Sequence, residues 1–177
     1  MYLPDALLET PPGEGEFAAA YAAYIAQVRP GDILETLVSQ QEGTRDLLLA
    51  IPEEDAGMRY AAGKWSIREV VGHMADTERV FAYRAMRIAR GDRTPLPPFD
   101  ENAYVAAAGF DARPLPYLAA EFAAVRHATV AFFAALDAAA WERRGIASGA
   151  EVSVRALAWM IAGHEAHHVT LLRTRYR

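Results

Sequence analysis

The chain contains no cysteine. Disulfide scaffolds, thiolate metal sites and any thiol chemistry carried by the protein itself are thereby excluded. Lysine is nearly absent as well: Lys64 stands alone beside 17 arginines, a bias we read as genome composition. No apolar run approaches the ~18 residues that a membrane span requires. Met1-Tyr2-Leu3-Pro4-Asp5 lacks the basic start and apolar stretch of a secretory leader. Positive charge is in deficit, 18 Lys plus Arg against 23 Asp plus Glu, for a formal net charge of −5. Nucleic acid binding rests on clustered positive charge. The expectation is a soluble cytoplasmic protein with neither a nucleic acid nor a membrane as partner.

What is abundant is alanine, 37 of 177 residues, so much of the 53% hydrophobic content is a helix former rather than bulky core. The length suits a single domain, 1–177, large enough to bury its own core. Period-two alternation is absent. Apolar residues recur at three- and four-residue spacing in four long stretches, which predicts an all-α protein. The first runs from about Asp32 to Ile51, between Pro30-Gly31 and Pro52. The second opens at Ser66, where Ser66-Ile67-Arg68-Glu69 reads as a capping box, and stops at Gly91. The third starts after Pro114 and Pro116 and reaches about Leu136. The fourth runs from near Ser153 to about Tyr176, with Arg173, Arg175 and Arg177 where cations suit the helix dipole. Residues 1–29 form an N-terminal extension, expected to be helical from Glu16 to Val28.

Residues 52–65 and 137–152 are short enough for turns or small loops. Residues 91–113 are longer, with Pro95, Pro97 and Pro98 and a possible helical turn or two from Asn102 to Ala108. Such a connection can cross the end of a bundle, so the second and third helices need not be antiparallel neighbours.

Five histidines carry the chemistry. On the fourth helix, Leu157, Ile161, His164, His168 and Leu171 share one face, with His167 at its edge. Two imidazoles at i and i+4 can reach one ion at ~2.0–2.1 Å per nitrogen. A stacked pair beside Glu165 and His167 favours metal over hydrogen-bonded core histidines. His127 points away from the row Leu118, Phe122, Val125, Thr129, Phe132 and Leu136, and is expected in solvent. His73 sits on the flank of the second helix, and periodicity alone does not bring it inside. Gly72 precedes His73 as Gly163 precedes His164, which suggests close backbone approach at both places, of the two helices where an ion sits or for packing alone. On the first helix the row Ile33, Leu37, Gln40, Thr44, Leu47 and Ile51 is interrupted by two polar residues, which fits a polar pocket at mid-bundle or a Gln40 reaching solvent.

His164-Glu165-Ala166-His167-His168 also matches H-E-x-x-H, in which the glutamate would be the general base of a zinc peptidase. Against this, only nine residues follow His168, none of them a metal ligand, and no strand is expected to hold a peptide.

Taken as a whole, the chain resembles the DinB superfamily of DinB/YfiT-like metalloproteins. The resemblance rests on Lys64-Trp65-Ser66-Ile67, on Gly72-His73-Met74-Ala75-Asp76-Thr77-Glu78-Arg79, on Phe99-Asp100-Glu101-Asn102, and on Ala162-Gly163-His164-Glu165-Ala166-His167-His168. It implies a four-helix bundle in up-down-down-up order and commonly a homodimer. It also implies a three-histidine site for zinc, nickel or a similar divalent ion, whose ligands by position are His73, His164 and His168. Some members of the superfamily use a low-molecular-weight thiol for S-transfer or isomerisation; here such a thiol would have to be an external cofactor. Arg84, on the flank of His73, would clamp an anionic cofactor group or stand as an ordinary surface arginine. Glu78 would orient a ligand imidazole or pair with an arginine. The expected function is that of a metal-dependent transferase or hydrolase; the alternatives are a non-catalytic metal-binding or dimerisation protein and the H-E-x-x-H peptidase.

Overall fold

The computed structural model describes residues 5–176, so the leader reading of the first residues and the contribution of Arg177 fall at or beyond its ends. Short helices α1 (Asp5–Glu9) and α2 (Ala22–Ile25) precede the long helices α3 (Ile33–Leu49) and α4 (Ile67–Ala89). A short α5 (Glu101–Ala108) lies in the long connection before α6 (Leu115–Ala134). Then come α7 (Ala138–Glu142), strands β1 (Arg144–Ala147) and β2 (Ala150–Ser153), and α8 (Val154–Arg175). The helix starts are chemically determined. Asp32 accepts from the N–H groups of Leu34 and Glu35, Ser66 and Glu69 form the reciprocal capping box, and Ser153 accepts from Ala156 N–H.

The long helices form a bundle in which α3 and α4 each pack against both α6 and α8. Gln40 meets Ala162 and Thr44 meets Glu165, so α3 and α8 run alongside in the same sense. Gln41 meets Ala123 and Arg126 meets Leu37, so α3 and α6 run opposite. Two apolar clusters fill the interior, one including Leu37, Phe81, Phe133 and Trp159, the other Val70, Met74, Leu118 and Phe122. Between them in sequence on every long helix lies a buried polar level: Thr44, Glu78, Arg126 and Glu165, with the histidines beside it.

Three expectations change. Strands are present after all, as an antiparallel hairpin pairing Arg144 with Ser153 through Ala147 with Ala150. Four-residue strands are too short to show alternation, and the two-residue turn at Ser148-Gly149 takes the left-handed backbone (φ 53° and 80°) that hairpin turns require. Leu96 of the long connection joins this hairpin through Leu96 N–H to Ile146 C=O at 2.9 Å and Ser148 N–H to Leu96 C=O at 3.0 Å. The helix expected from Glu16 to Val28 shrinks to a 3-10 turn (Ala19–Tyr21) and the four residues of α2, with no side-chain cap at either. Finally, Gly72 and Gly163 do not bring their two helices together. A Cβ at Gly72 would stand 2.4 Å from the Phe110 ring, and one at Gly163 would stand 2.2 Å from the Tyr24 carbonyl oxygen. The glycines seat the long connection and the N-terminal extension against the two histidine-bearing helices.

That extension is tied down at Glu16. Its carboxylate accepts from Ser153 Oγ at 2.8 Å, from Arg155 at 2.7 and 2.8 Å, and from Gly13 N–H at 2.9 Å. Burial disfavours the charge, but the hydrogen bonds from Arg155, Gly13 N–H and Ser153 outweigh it and lower the carboxyl from its usual 4.5 to about 2. A folded-state pKa below the unfolded one contributes stability that is full above about pH 4.5 and is lost as pH falls toward 2. Glu16→Gln should therefore cost about 1–3 kcal/mol at neutral pH and flatten the acid limb of the stability curve. Urea unfolding at a series of pH values measures both; an unchanged acid limb would refute the assignment.

Candidate metal centre

His73 lies in the second turn of α4, and His164 and His168 lie one turn apart on α8. All three are buried. His73, which periodicity leaves on a flank, is brought inside because the sector that α4 buries is wide, from Val70 and His73 through Met74 to Glu78. His73 Nε2 is 3.0 Å from His164 Nε2, and His168 Nε2 is 3.1 Å from it. Nitrogens bound to one ion at ~2.0–2.1 Å lie roughly 2.9–3.4 Å apart for right-angled to tetrahedral geometry. Both distances fit that spacing, the three donor atoms all lie within 4.8 Å of one another, and the triad could hold a metal ion.

The donor set fits in its protonation as well. Burial, and next the neighbouring His167, lower His73 to about 4. Burial and then the adjacent imidazoles hold His164 and His168 well below the usual histidine range. Each ring is neutral with a single N–H. Where Nδ1 carries it, the Nε2 lone pairs of His73 and His168 crowd that of His164 at 3.0–3.1 Å, an arrangement that repels itself unless a cation takes it up. His73 Nδ1 lies 3.4 Å from Thr77 Oγ1, while His168 Nδ1 is buried with no partner among the described residues. Trp65 packs on His73 with ring centroids 4.6 Å apart, and Tyr24 meets His164 edge-on at 5.6 Å.

Beside the triad lies a cleft of about 220 Å³, lined by Tyr24, Thr77, Phe81, Phe99, Glu101 and Ser148 as well as the three histidines. Trp65 and His168 also border a second cleft of about 250 Å³ reaching Asn102 and Tyr176. The triad is thus bordered by protein on some sides and by two clefts on others.

The remaining sequence candidates fall as follows. Both oxygens of Glu78 accept from Arg126, at 2.8 and 2.7 Å, so its partner is an arginine rather than a ligand imidazole. Glu165 accepts from Arg126 at 2.5 Å and from Thr44 Oγ1 at 2.5 Å. Burial pushes the Glu165 carboxyl above its usual range, against the pull of Arg126 and Thr44. With both oxygens engaged, Glu165 is not placed as the free base of a peptidase. His167 is half-buried against Tyr24 and outside the triad, and His127 is exposed. Arg84 is no surface residue: it is 3% exposed, with Nη2 donating to Pro97 C=O at 2.8 Å and to Ser148 Oγ at 2.9 Å. Gln40 does not point out to solvent; it donates to Ala162 C=O at 3.0 Å.

The residue that sequence reasoning missed is Arg126, fully buried on α6. Its signal was its place four residues after Phe122 and three before Thr129, on the row assigned there to Val125. A cation on an apolar row beside two inward glutamates on other helices points to a buried ion cluster.

The family model described as DinB superfamily matches residues 36–172. Among solved structures, the chain is similar to YfiT from Bacillus subtilis, described as a probable metal-dependent hydrolase with an unusual four-helix bundle topology. The TM-score is 0.69 at 18% identity, covering 95% of this chain and 97% of that one, a likeness of fold. No curated protein matches the chain significantly.

The buried cluster behind the triad yields a test. Truncating one partner of a buried ion pair costs about 3–5 kcal/mol because the other charge is left unpaired. Arg126→Ala strands two carboxylates and should cost at least that much by urea unfolding, whereas Arg45→Ala, on an exposed pair with Asp46, should cost under about 1 kcal/mol. Equal losses would contradict this account of the cluster.

Proposed function

The chain belongs to the DinB superfamily, and we propose that it is a metal-dependent enzyme, a hydrolase by preference, whose ion is held by His73, His164 and His168. The observation that carries this reading is the convergence of three buried neutral imidazoles, with His73 and His168 Nε2 each 3.0–3.1 Å from His164 Nε2, beside an open cleft. Imidazole nitrogen suits zinc or nickel. Such an ion, when bound, lowers the pKa of a water or thiol and polarises a carbonyl. The chain's own residues do the rest. Burial keeps the ligands unprotonated, Trp65 and Tyr24 fix ring orientations, and Phe81 and Phe99 make a largely apolar wall for a small substrate. Transfer to a low-molecular-weight thiol is the finer variant of the same reading; with no cysteine in the chain, the thiol would be external. A homodimer in the cytoplasm completes the proposal. The competing view, a metal that only stabilises the fold, lacks an exchangeable water at the ion, and the open cleft argues against it.

The protein should bind one divalent ion per chain by elemental analysis. His73→Ala and His164→Ala should each abolish tight binding, while His127→Ala and His167→Ala should retain it. Equal metal content in all four variants would overturn the ligand set. The pH dependence sharpens this. An ordinary histidine site loses metal as pH drops through ~6.5. Here the free ligands are lowered, His73 to about 4, so protons compete only at lower pH. Nickel affinity by titration calorimetry should stay nearly level from neutral pH to about 5 and fall below it. A midpoint near 6.5 would mean the ligands are solvated, contrary to the proposal.

A further inference from the structure

The hairpin tip enters the cleft at Ser148. Its backbone is held by Ser148 N–H to Leu96 C=O at 3.0 Å, and its Oγ accepts from buried Arg84 at 2.9 Å. Arg84 in turn is anchored by Pro97 C=O, and its guanidinium lies 5.9 and 5.6 Å from the Phe81 and Phe99 ring centroids, both cleft walls. A hydroxyl has one hydrogen and two lone pairs. With the cation occupying a lone pair, the hydrogen is directed away from Arg84; Ser148 is exposed and has no acceptor among the described residues, so solvent, or a ligand that displaces it from the cleft, receives the hydrogen. A hydroxyl that accepts from a cation is also a stronger donor. Ser148 is moreover the single described non-glycine residue with positive φ, 53°, at a turn position where glycine or asparagine fits more easily. Glycine would meet the turn geometry at least as well, whereas only the hydroxyl gives Arg84 its contact.

Resting on the metal-centre reading above, we infer that Ser148 is a substrate-positioning residue: its Arg84-held hydroxyl donates into the cleft to a carbonyl or carboxylate oxygen of a small molecule held at the triad. Arg84 acts through Ser148 and does not itself clamp the ligand. The hairpin thus supplies a donor to the cleft that Phe81, Phe99 and the three histidines also line, a part of the site that lies outside the helical bundle.

The test uses the full chain loaded with Co²⁺, read by its visible absorption. Acetohydroxamate, which brings carbonyl-type oxygens, and imidazole, which brings none, are the probes. The variant is Ser148→Gly, whose left-handed backbone suits glycine and which leaves every proposed ligand in place. The expected result is unchanged Co²⁺ content, acetohydroxamate binding weakened about tenfold, as for loss of one hydrogen bond to a charged group, and imidazole binding within twofold of wild type. Unchanged acetohydroxamate affinity would overturn the role of Ser148, and so would equal weakening of both probes, which would report a distorted centre. Failure of the wild type to take up Co²⁺ at all would overturn the reading of the centre, and this inference with it.

Discussion

The four long helices meet at one guanidinium. Arg126 of α6 bonds both oxygens of Glu78 on α4, one oxygen of Glu165 on α8 and the Leu37 carbonyl on α3. A charge this deep is tolerable only when its partners are complete, and here burial is outweighed by Glu165 and Glu78, which hold the arginine firmly protonated. Because Glu165 immediately follows His164, the cluster fixes the rotation of α8, and because Glu78 follows His73 by about a turn and a half, it fixes α4. The spacing of the imidazoles depends on a network that touches none of them.

Around that level, elements from outside the bundle complete the site. The N-terminal extension, pinned at Glu16, lays Tyr24 on Gly163 and against His164. The long connection sets Phe110 on Gly72 and brings Phe99 and Glu101 to the cleft. The hairpin adds Ser148. The bundle brings the three imidazoles together, and the connections line the cleft beside them.

Much of this was legible in the sequence, for physical reasons that also mark where legibility ends. Caps are local chemistry, so the Ser66 capping box announced α4, while the starts of α3 and α8 near Asp32 and Ser153 were placed by periodicity and the Pro30-Gly31 break, and the structure caps them with those same residues. Stacked His164 and His168 followed from the 3.6-residue period alone. His73 did not, because period fixes an angle on one helix and cannot say how wide a sector its neighbours cover; the family resemblance supplied it. Arg126 was hidden because the α6 row was taken through Val125 and Phe132, whereas the helix buries Arg126 and Phe133, one residue further on. The hairpin was missed since its strands are four residues long. The glycines were noticed but given the wrong partners, because close approach is visible in sequence while the approaching group is not.

The most direct measurement of the central claim is the X-ray absorption spectrum of the nickel- or zinc-loaded protein at the metal edge. The account predicts three imidazole nitrogens at ~2.0–2.1 Å, with the remaining shell made of exchangeable light-atom ligands. A shell with fewer than three imidazoles, or one filled by protein carboxylates, would contradict it.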